Sequence, residues 1–258
     1  MDPVRLDRLL VERKLVSSRP RAERLIIDHG VKVDGKEIRK PGKKVAPEAT
    51  LELLGEDLPW VSRGALKLVC ALHHFKPDLK GAVVLDLGAS TGGFTEVCLS
   101  RGAQCVHAVD VGTDQLDPAL REDSRVFDLQ QTHLKDLTSK GLNPTPSVVV
   151  MDLSFISLAH VWPKLSPWLT SEGWGIALVK PQFEVGRKHL GRNGVVRDPS
   201  IRQKSLERCI AQAEAEGFCC SAPIDSPIVG GSGNREFLIH FSWEGRAEPL
   251  LRTAVPEE

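Results

Sequence analysis

Four charged residues stand where a protein built on a buried sheet does its chemistry. Asp152 follows the apolar run Val148-Val149-Val150-Met151, and Lys180 follows Gly175-Ile176-Ala177-Leu178-Val179. Both are therefore set at the carboxyl ends of strands, the edge at which open α/β sheets bind their ligands. Glu236 opens a last apolar strand running to Phe241, and an antiparallel course for that strand brings its start to the same edge. Lys67 lies on a helix, Gly64 to about Leu72, directly before the first strand, and can lean over that edge as well. On its own Lys67 reads as an ordinary surface lysine, since lysines are common on helices. Together the four form a Lys-Asp-Lys-Glu cluster suited to a weakly acidic hydroxyl. A buried ammonium beside the oxygen stabilises a developing alkoxide, and the carboxylates hold the lysines in place.

A second pattern supplies the other half of a reaction. The strand Ala82-Val83-Val84-Leu85-Asp86-Leu87 runs into Gly88-Ala89-Ser90-Thr91-Gly92-Gly93-Phe94, and Asp110 closes the next strand, which starts at Cys105. The glycine-rich turn lets backbone approach a ligand closely, and an acid at the end of the second strand can accept hydrogen bonds from ribose hydroxyls. A nucleoside-bearing cofactor is indicated. The loop lacks the G-x-G-x-x-G spacing of a dinucleotide site and the G-x-x-x-x-G-K-S/T of a P-loop, which disfavours NAD and ATP. What fits is the S-adenosylmethionine (SAM) loop of Rossmann-like methyltransferases, whose last strand runs antiparallel. Asp86, Gly88, Ala89, Ser90, Gly92, Gly93, Phe94, Asp110 and Asp152 are the candidate cofactor contacts. The hydroxyl that such a pairing serves is a ribose 2′-hydroxyl, methylated in line from the sulfonium.

The elements that must position these residues alternate. Continuous apolar strands separated by helices predict a parallel sheet covered on both faces. Ahead of it lies a different module. Leu6, Leu9, Leu10 and Leu15 recur at helical spacing with Arg5, Arg8, Arg13 and Lys14 mostly between them. Ser17 and Ser18 offer caps for a second helix, Pro20 to Ile27, that closes at Gly30. Val31-Lys32-Val33 then enters a hairpin through Asp34-Gly35.

The 258 residues, 41% hydrophobic and 26% charged, suit a globular protein of two unequal domains. The formal charge of +0 hides an asymmetry. Through Lys44 there are 13 Lys+Arg and 7 Asp+Glu, hence +6, leaving 21 and 27, hence −6, for the remainder. The basic arm is the predicted polyanion binder. Six scattered cysteines show neither a C-x-x-C pair nor zinc-ligand spacing, so no metal site and no disulfide framework are expected. The first residues lack a signal peptide's apolar run, and no stretch approaches membrane-spanning length, so no membrane partner and a cytoplasmic location are expected.

The order L-x-x-L-L…S-R-x-x-A-x-x-L-I…G-x-V-x-V-D-G-K over about the first 60 residues resembles the α-L RNA-binding motif of a ribosomal small-subunit protein, pseudouridine synthases and bacterial tyrosyl-tRNA synthetases. By that resemblance Arg5, Arg8, Arg19, Arg21, Arg24, Lys32 and Lys36 face structured RNA; Arg63 is added from the joint. The body resembles the FtsJ-like RNA 2′-O-ribose methyltransferases, and residues 3–243 resemble the TlyA (hemolysin A) family of rRNA methyltransferases. The segments that carry this are Ser62-Arg63-Gly64-Ala65-Leu66-Lys67-Leu68, the Asp86 to Phe94 loop, Asp152-Leu153-Ser154-Phe155-Ile156-Ser157-Leu158, Lys180-Pro181-Gln182-Phe183-Glu184 and Gly233-Asn234-Arg235-Glu236-Phe237-Leu238.

The resemblance implies that Lys67, Asp152, Lys180 and Glu236 are a catalytic tetrad with Lys180 nearest the attacking oxygen. It also implies a cytidine of ribosomal RNA as substrate and rRNA or ribosomal subunits as partner. The expected organisation is an RNA-binding domain over 1–58, a joint over 59–64 stiffened by Pro59 and Trp60, a methyltransferase domain over 65–246 and a tail over 247–258. One departure concerns the acid of the family's E-x-T-N, replaced here by Gln130-Gln131-Thr132-His133, so that Gln130 or Asp128 becomes the adenosine-side candidate. Gly186 to Gly194, flanked by glycine and basic, reads as a mobile loop over the RNA. Base-amino methylation would want Pro-Pro where Leu153-Ser154 stand, and cytosine-carbon methylation would want a cysteine after proline, which is absent. A pore-forming role lacks an inserting segment; a catalytically silent RNA-binding factor is separated only by activity. Oligomeric state stays open.

Overall fold

The computed structural model describes residues 2–16, 18–55 and 58–245, with the side chain of Asp28 outside that description. The expected Ser17 cap, Glu56 and Asp57 at the end of the expected 1–58 domain, and the 247–258 tail lie outside the described residues. The chain divides into two compact units, Met1–Val61 and Ser62–Glu258.

In the first unit, β1 (Val4–Arg5) leads into α1 (Leu6–Glu12), followed by α2 (Arg19–Asp28), β2 (Val31–Val33), β3 (Lys36–Ile38), β4 (Lys44–Val45) and β5 (Leu51–Leu53). Leu6, Leu9 and Leu10 of α1 pack on Ala22, Leu25 and Ile26 of α2 and on Val31 and Val33 of β2, the burial that the helical spacing called for. Leu15 does not belong to that stripe. Helix α1 stops at Glu12, Lys14 takes a left-handed φ of 58°, and Leu15 is left 38% exposed. Ser18 occupies the cap position of α2 without a side-chain capping bond, whereas Gly30 closes the helix at φ 84° as expected. Asp34 and Gly35 both have positive φ, 49° and 80°, and pair Val33 with Lys36 in the tight hairpin that Asp-Gly favours. Two short pairings come in addition: β5 lies against β2, and β4 against β1.

The second unit runs α3 (Ala65–Phe75), β6 (Val83–Leu87), α4 (Gly93–Ser100), β7 (Cys105–Val109), α5 (Pro118–Arg121), β8 (Val126–Leu129), β9 (Val148–Met151), α6 (Trp162–Leu165), β10 (Gly173–Val179), α7 (Pro181–Glu184), α8 (Pro199–Ala215), β11 (Cys219–Cys220), β12 (Ile224–Asp225) and β13 (Phe237–Trp243). The sheet order is β11-β13-β10-β9-β6-β7-β8, with β12 also on β13. From β10 to β8 the neighbours are parallel, and β13 is antiparallel to β10. This is the mostly parallel α/β sheet with an antiparallel last strand that the apolar runs predicted. Every residue of β6, β7 and β9 is buried, which explains why those runs are continuous rather than alternating.

Strand order reverses around β6: β7 and β8 are added on one side of it, β9 and β10 on the other. Ligand crevices open at such a switch point, outside the carboxyl ends of the strands. Gly88 and Asp152 emerge there side by side, after the paired residues Leu87 and Met151. A packed layer of Trp162, Phe218, Phe241 and Trp243 against the other strands supplies the rigid base beneath this edge.

Candidate active site

Register decides which charges meet. Strands β10 and β13 pair from Gly173↔Trp243 to Val179↔Phe237, so Lys180, just past one strand, lies beside Glu236, just before the other. Helix α3, packed on β13 and α4, carries Lys67 over the same edge. The result is a chain of alternating charge. Lys180 Nζ is 2.6 Å from Asp152 Oδ1, Asp152 Oδ2 is 3.6 Å from Lys67 Nζ, and Lys67 Nζ donates to Glu236 Oε2 at 2.8 Å. Lys67, Lys180 and Glu236 are buried. Two ammonium and two carboxylate groups cancel in formal charge, which is what lets them share an enclosed site.

This chain lines a cavity of about 540 Å³. The glycine-rich loop also lines it, contributing Gly88, Ala89, Ser90, Gly93 and Phe94. Two glycines there are obligatory for close approach. Gly88 has φ 86°, and a Cβ on it would lie 2.7 Å from the Asp152 carbonyl oxygen; a Cβ on Gly93 would lie 2.2 Å from Ser62 Oγ. The loop thus leaves a groove that an elongated nucleoside-bearing molecule fits, with the charged chain at its side. SAM is compatible with this cradle.

Other expected cofactor contacts are brought nearby without reaching the cavity wall. Asp110 accepts the backbone N–H of Ser90 at 2.9 Å and of Gly112 at 2.8 Å, so its carboxylate shapes both loops. Gln130 Oε1 accepts the Asp114 N–H at 2.8 Å, and Asp128 faces Arg121 at 3.7 Å. Gly92, at φ 92°, backs onto Leu120. Asp86 is fully buried under the loop, where Thr95 Oγ1 donates to it at 2.6 Å. Burial pushes its carboxyl up to about 7, with Asp152 and Asp110 raising it further and the Thr95 hydrogen bond opposing.

That shift has a sign. The unfolded chain loses the Asp86 proton near pH 3.8, the folded one near 7. Between these values the native state binds the extra proton, so its stability falls as pH rises through that window and levels off above it. Asp86→Asn cannot ionise. It is expected to gain stability relative to the parent protein between pH 5 and pH 8, followed by urea midpoints; a pH-independent difference would refute the assignment.

Several lining residues escaped the sequence reading. Ser154, Phe155, Gln182 and Phe183 come from the two distinctive segments after β9 and β10, and Gly230, Gly231, Ser232 and Asn234 from the approach to β13. Phe155 is 91% exposed at the rim, 5.2 Å from the Phe183 ring. Ser154, Phe155, Gln182, Phe183 and Asn234 were signalled only by membership of motifs, and Gly230, Gly231 and Ser232 by nothing in the sequence. The basic 186–194 segment also contributes Leu190, Asn193 and Gly194 to the wall, and Asn234 ties it down by donating to the Gly194 carbonyl and accepting the Val196 N–H.

The candidate RNA contacts differ in how free they are. Arg5 and Arg19 both pair with buried Asp7, at 2.7 and 3.0 Å, and hydrogen bonds from Arg5 hold that carboxyl well below its usual range. Arg8 pairs with Glu12 and Lys32 with Glu52. Arg21 donates to the Pro59 carbonyl. Lys36 is exposed, as is Arg63 in the second unit, while Arg24 is half-buried and donates to the Pro20 carbonyl. Lys40, Lys43 and Lys44 are exposed too, although the motif did not single them out.

Among the described residues no group of His, Cys, Asp or Glu could hold a metal ion, and no helix is long and apolar enough to cross a membrane.

Comparison with known proteins gives these features a context. The model of the FtsJ-like methyltransferase family matches residues 60–243, and that of the S4 domain matches residues 4–51. The 16S/23S rRNA (cytidine-2′-O)-methyltransferase TlyA of Mycobacterium tuberculosis is 43% identical over 91% of this chain and 88% of its own length. Hemolysin A of Brachyspira hyodysenteriae is 35% identical over 92% and 99%. A solved candidate hemolysin from Streptococcus thermophilus superposes with a TM-score of 0.74 at 42% identity, over 95% of this chain and 90% of that one.

Proposed function

The chain belongs to the FtsJ-like methyltransferase family, and we propose that it moves a methyl group from SAM to the 2′-hydroxyl of a cytidine in ribosomal RNA. The observation that carries this reading is the Lys180–Asp152–Lys67–Glu236 chain set against the glycine-rich loop in one cavity. SAM, when bound, supplies an electrophilic methyl group. Gly88, Ala89, Ser90, Gly93 and Phe94 would hold it, with Asp110 fixing the loop.

Each ammonium has three N–H donors. Lys180 donates one to Ser154 Oγ and is ion-paired with Asp152 at 2.6 Å; Lys67 donates one to Glu236 and faces Asp152 at 3.6 Å. Placed so, Lys180 lowers the cost of removing a hydroxyl proton by holding positive charge against the emerging alkoxide. Asp152, between the two lysines, orients both. The exposed Phe155 ring, braced by Phe183, offers a flat apolar face to an unstacked base, the form in which RNA is read at a single nucleotide.

The S4 domain and the exposed cations of the first unit support an RNA partner, held through phosphates. The rRNA activities of the TlyA relatives support the ribosome as its source, and hence the cytoplasm as the place of action. Leu153-Ser154 in place of Pro-Pro argues against base-amino methylation.

The test is chemical mapping. With tritiated SAM and ribosomal subunits, label is expected at a cytidine whose 3′ phosphodiester resists alkali, because a methylated 2′-oxygen cannot attack it. Label on a base, with every bond cleaved, would refute ribose methylation, and no label on any subunit would leave a silent RNA-binding factor.

A further inference from the structure

Methylating a hydroxyl oxygen releases one proton, and the site that accepts it is closed on most sides. Of the groups that the two lysines touch, the Glu236 side chain is 2% exposed and that of Asp152 19%. A proton given to either stays inside the charged chain. Ser154 differs on both counts. Its Oγ accepts a hydrogen bond from Lys180 Nζ at 2.8 Å, yet the residue is exposed at the cavity rim. A hydroxyl also accepts and donates at once, which a carboxylate does not.

We propose that Ser154 is the proton exit of the active site, passing the proton that Lys180 collects from the substrate hydroxyl out to water. This rests on the methyl-transfer reading above. One ammonium proton of Lys180 first moves to Ser154 Oγ as the original Ser154 hydroxyl proton moves to a water molecule, which leaves Lys180 a neutral amine with a free lone pair. As the oxygen gains its methyl group, the O–H bond breaks and its proton moves to that Lys180 Nζ. Lysine ends as ammonium and serine as hydroxyl, so the relay is reset without a further reactant.

The fold holds the relay rigid. Phe155, next in the chain, takes a left-handed φ of 64°, which turns the backbone sharply at the serine. Three residues later the same loop is gripped by Glu184, buried, which accepts Ser157 Oγ at 2.6 Å and the Leu158 N–H at 2.9 Å. Glu184 stands four residues after Lys180. One short segment therefore fixes both the lysine and the loop that brings the serine to it, which gives a physical reason for the pairing of the two distinctive motifs. Such strain at a functional rim persists only when the surroundings over-determine it.

The experiment uses the full-length protein, ribosomal subunits and SAM. Ser154→Ala is expected to lower the single-turnover rate by roughly 10- to 100-fold, the scale of a lost proton-transfer group, with SAM affinity by calorimetry and KM for subunits unchanged. Ser154→Thr, which keeps the hydroxyl, should recover most of the rate. Added imidazole, a small proton carrier, should accelerate the alanine variant and leave the parent enzyme unaffected. A rate for Ser154→Ala equal to that of the parent overturns the relay while 2′-O-methylation by the parent stands. So does a loss that neither threonine nor imidazole repairs, which would make Ser154 a structural contact. Label from the parent appearing on a base instead overturns the methyl-transfer reading itself.

Discussion

Lys180→Ala is expected to slow methyl transfer by about 100-fold or more, the magnitude for removing a positioned acid–base or charge-stabilising group, with SAM binding held within about twofold. Lys180 touches Asp152 and Ser154, and neither belongs to the glycine-rich wall on which SAM would lie. The fold should survive, because Asp152 keeps Lys67 at 3.6 Å as a counter-charge. Lys180→Arg sharpens the test. Arginine keeps the positive charge but does not give up its proton, so a variant that stays slow assigns Lys180 to proton movement, and one that recovers assigns it to electrostatics. Turnover by Lys180→Ala within about threefold of the parent would remove lysine from the mechanism.

The second large effect is expected at Gly88. An added methyl group there meets the Asp152 carbonyl oxygen at 2.7 Å and its carbon at 3.0 Å, backbone atoms that cannot turn aside as a side chain could. The left-handed conformation costs a non-glycine residue ~1–2 kcal/mol, and forcing atoms into packed space ~1–3 kcal/mol more. Gly88→Ala is therefore expected to lose about 2–5 kcal/mol of stability. It should also push the ends of β6 and β9 apart, shifting Asp152 away from Lys180. Urea unfolding reads the first effect, and methyl transfer, down at least about tenfold, reads the second. Unchanged stability with unchanged activity would mean that the two strand ends are not in the close contact described.

The placement of Asp152 and Lys180 at strand ends, and of Lys67 on the helix before the first strand, could be read from the chain because apolar strands and helical stripes are local patterns, and residues on or bordering them inherit a position. Glu236 was less secure. Its place depends on β13 running antiparallel, so that a contact between residues 169 apart in the chain is made at 2.8 Å. The basic arm was read correctly as two helices and a hairpin. Its charges were read less well, because Asp7 looks like a lone acid among arginines and is in fact the buried partner of Arg5 and Arg19. The same limit applies to the acids near the glycine loop. Asp86 faces inward from a strand buried on both sides, and Asp110 is occupied by backbone N–H groups, neither of which spacing reveals.

Sequence by itself determined the order of elements, the glycine loop, the absence of a dinucleotide or P-loop pattern and the residue types available at the sheet's edge. These follow from backbone sterics and from the period at which apolar side chains must recur to be buried. Only the tertiary structure decided which of those residues meet. The register of β13 on β10 brings Glu236 to Lys67, the Glu184 clamp brings Ser154 to Lys180, and Asn234 draws the 186–196 segment over the cavity. Such contacts join segments far apart in the chain, and their geometry is set by packing of the whole sheet, which no local pattern encodes.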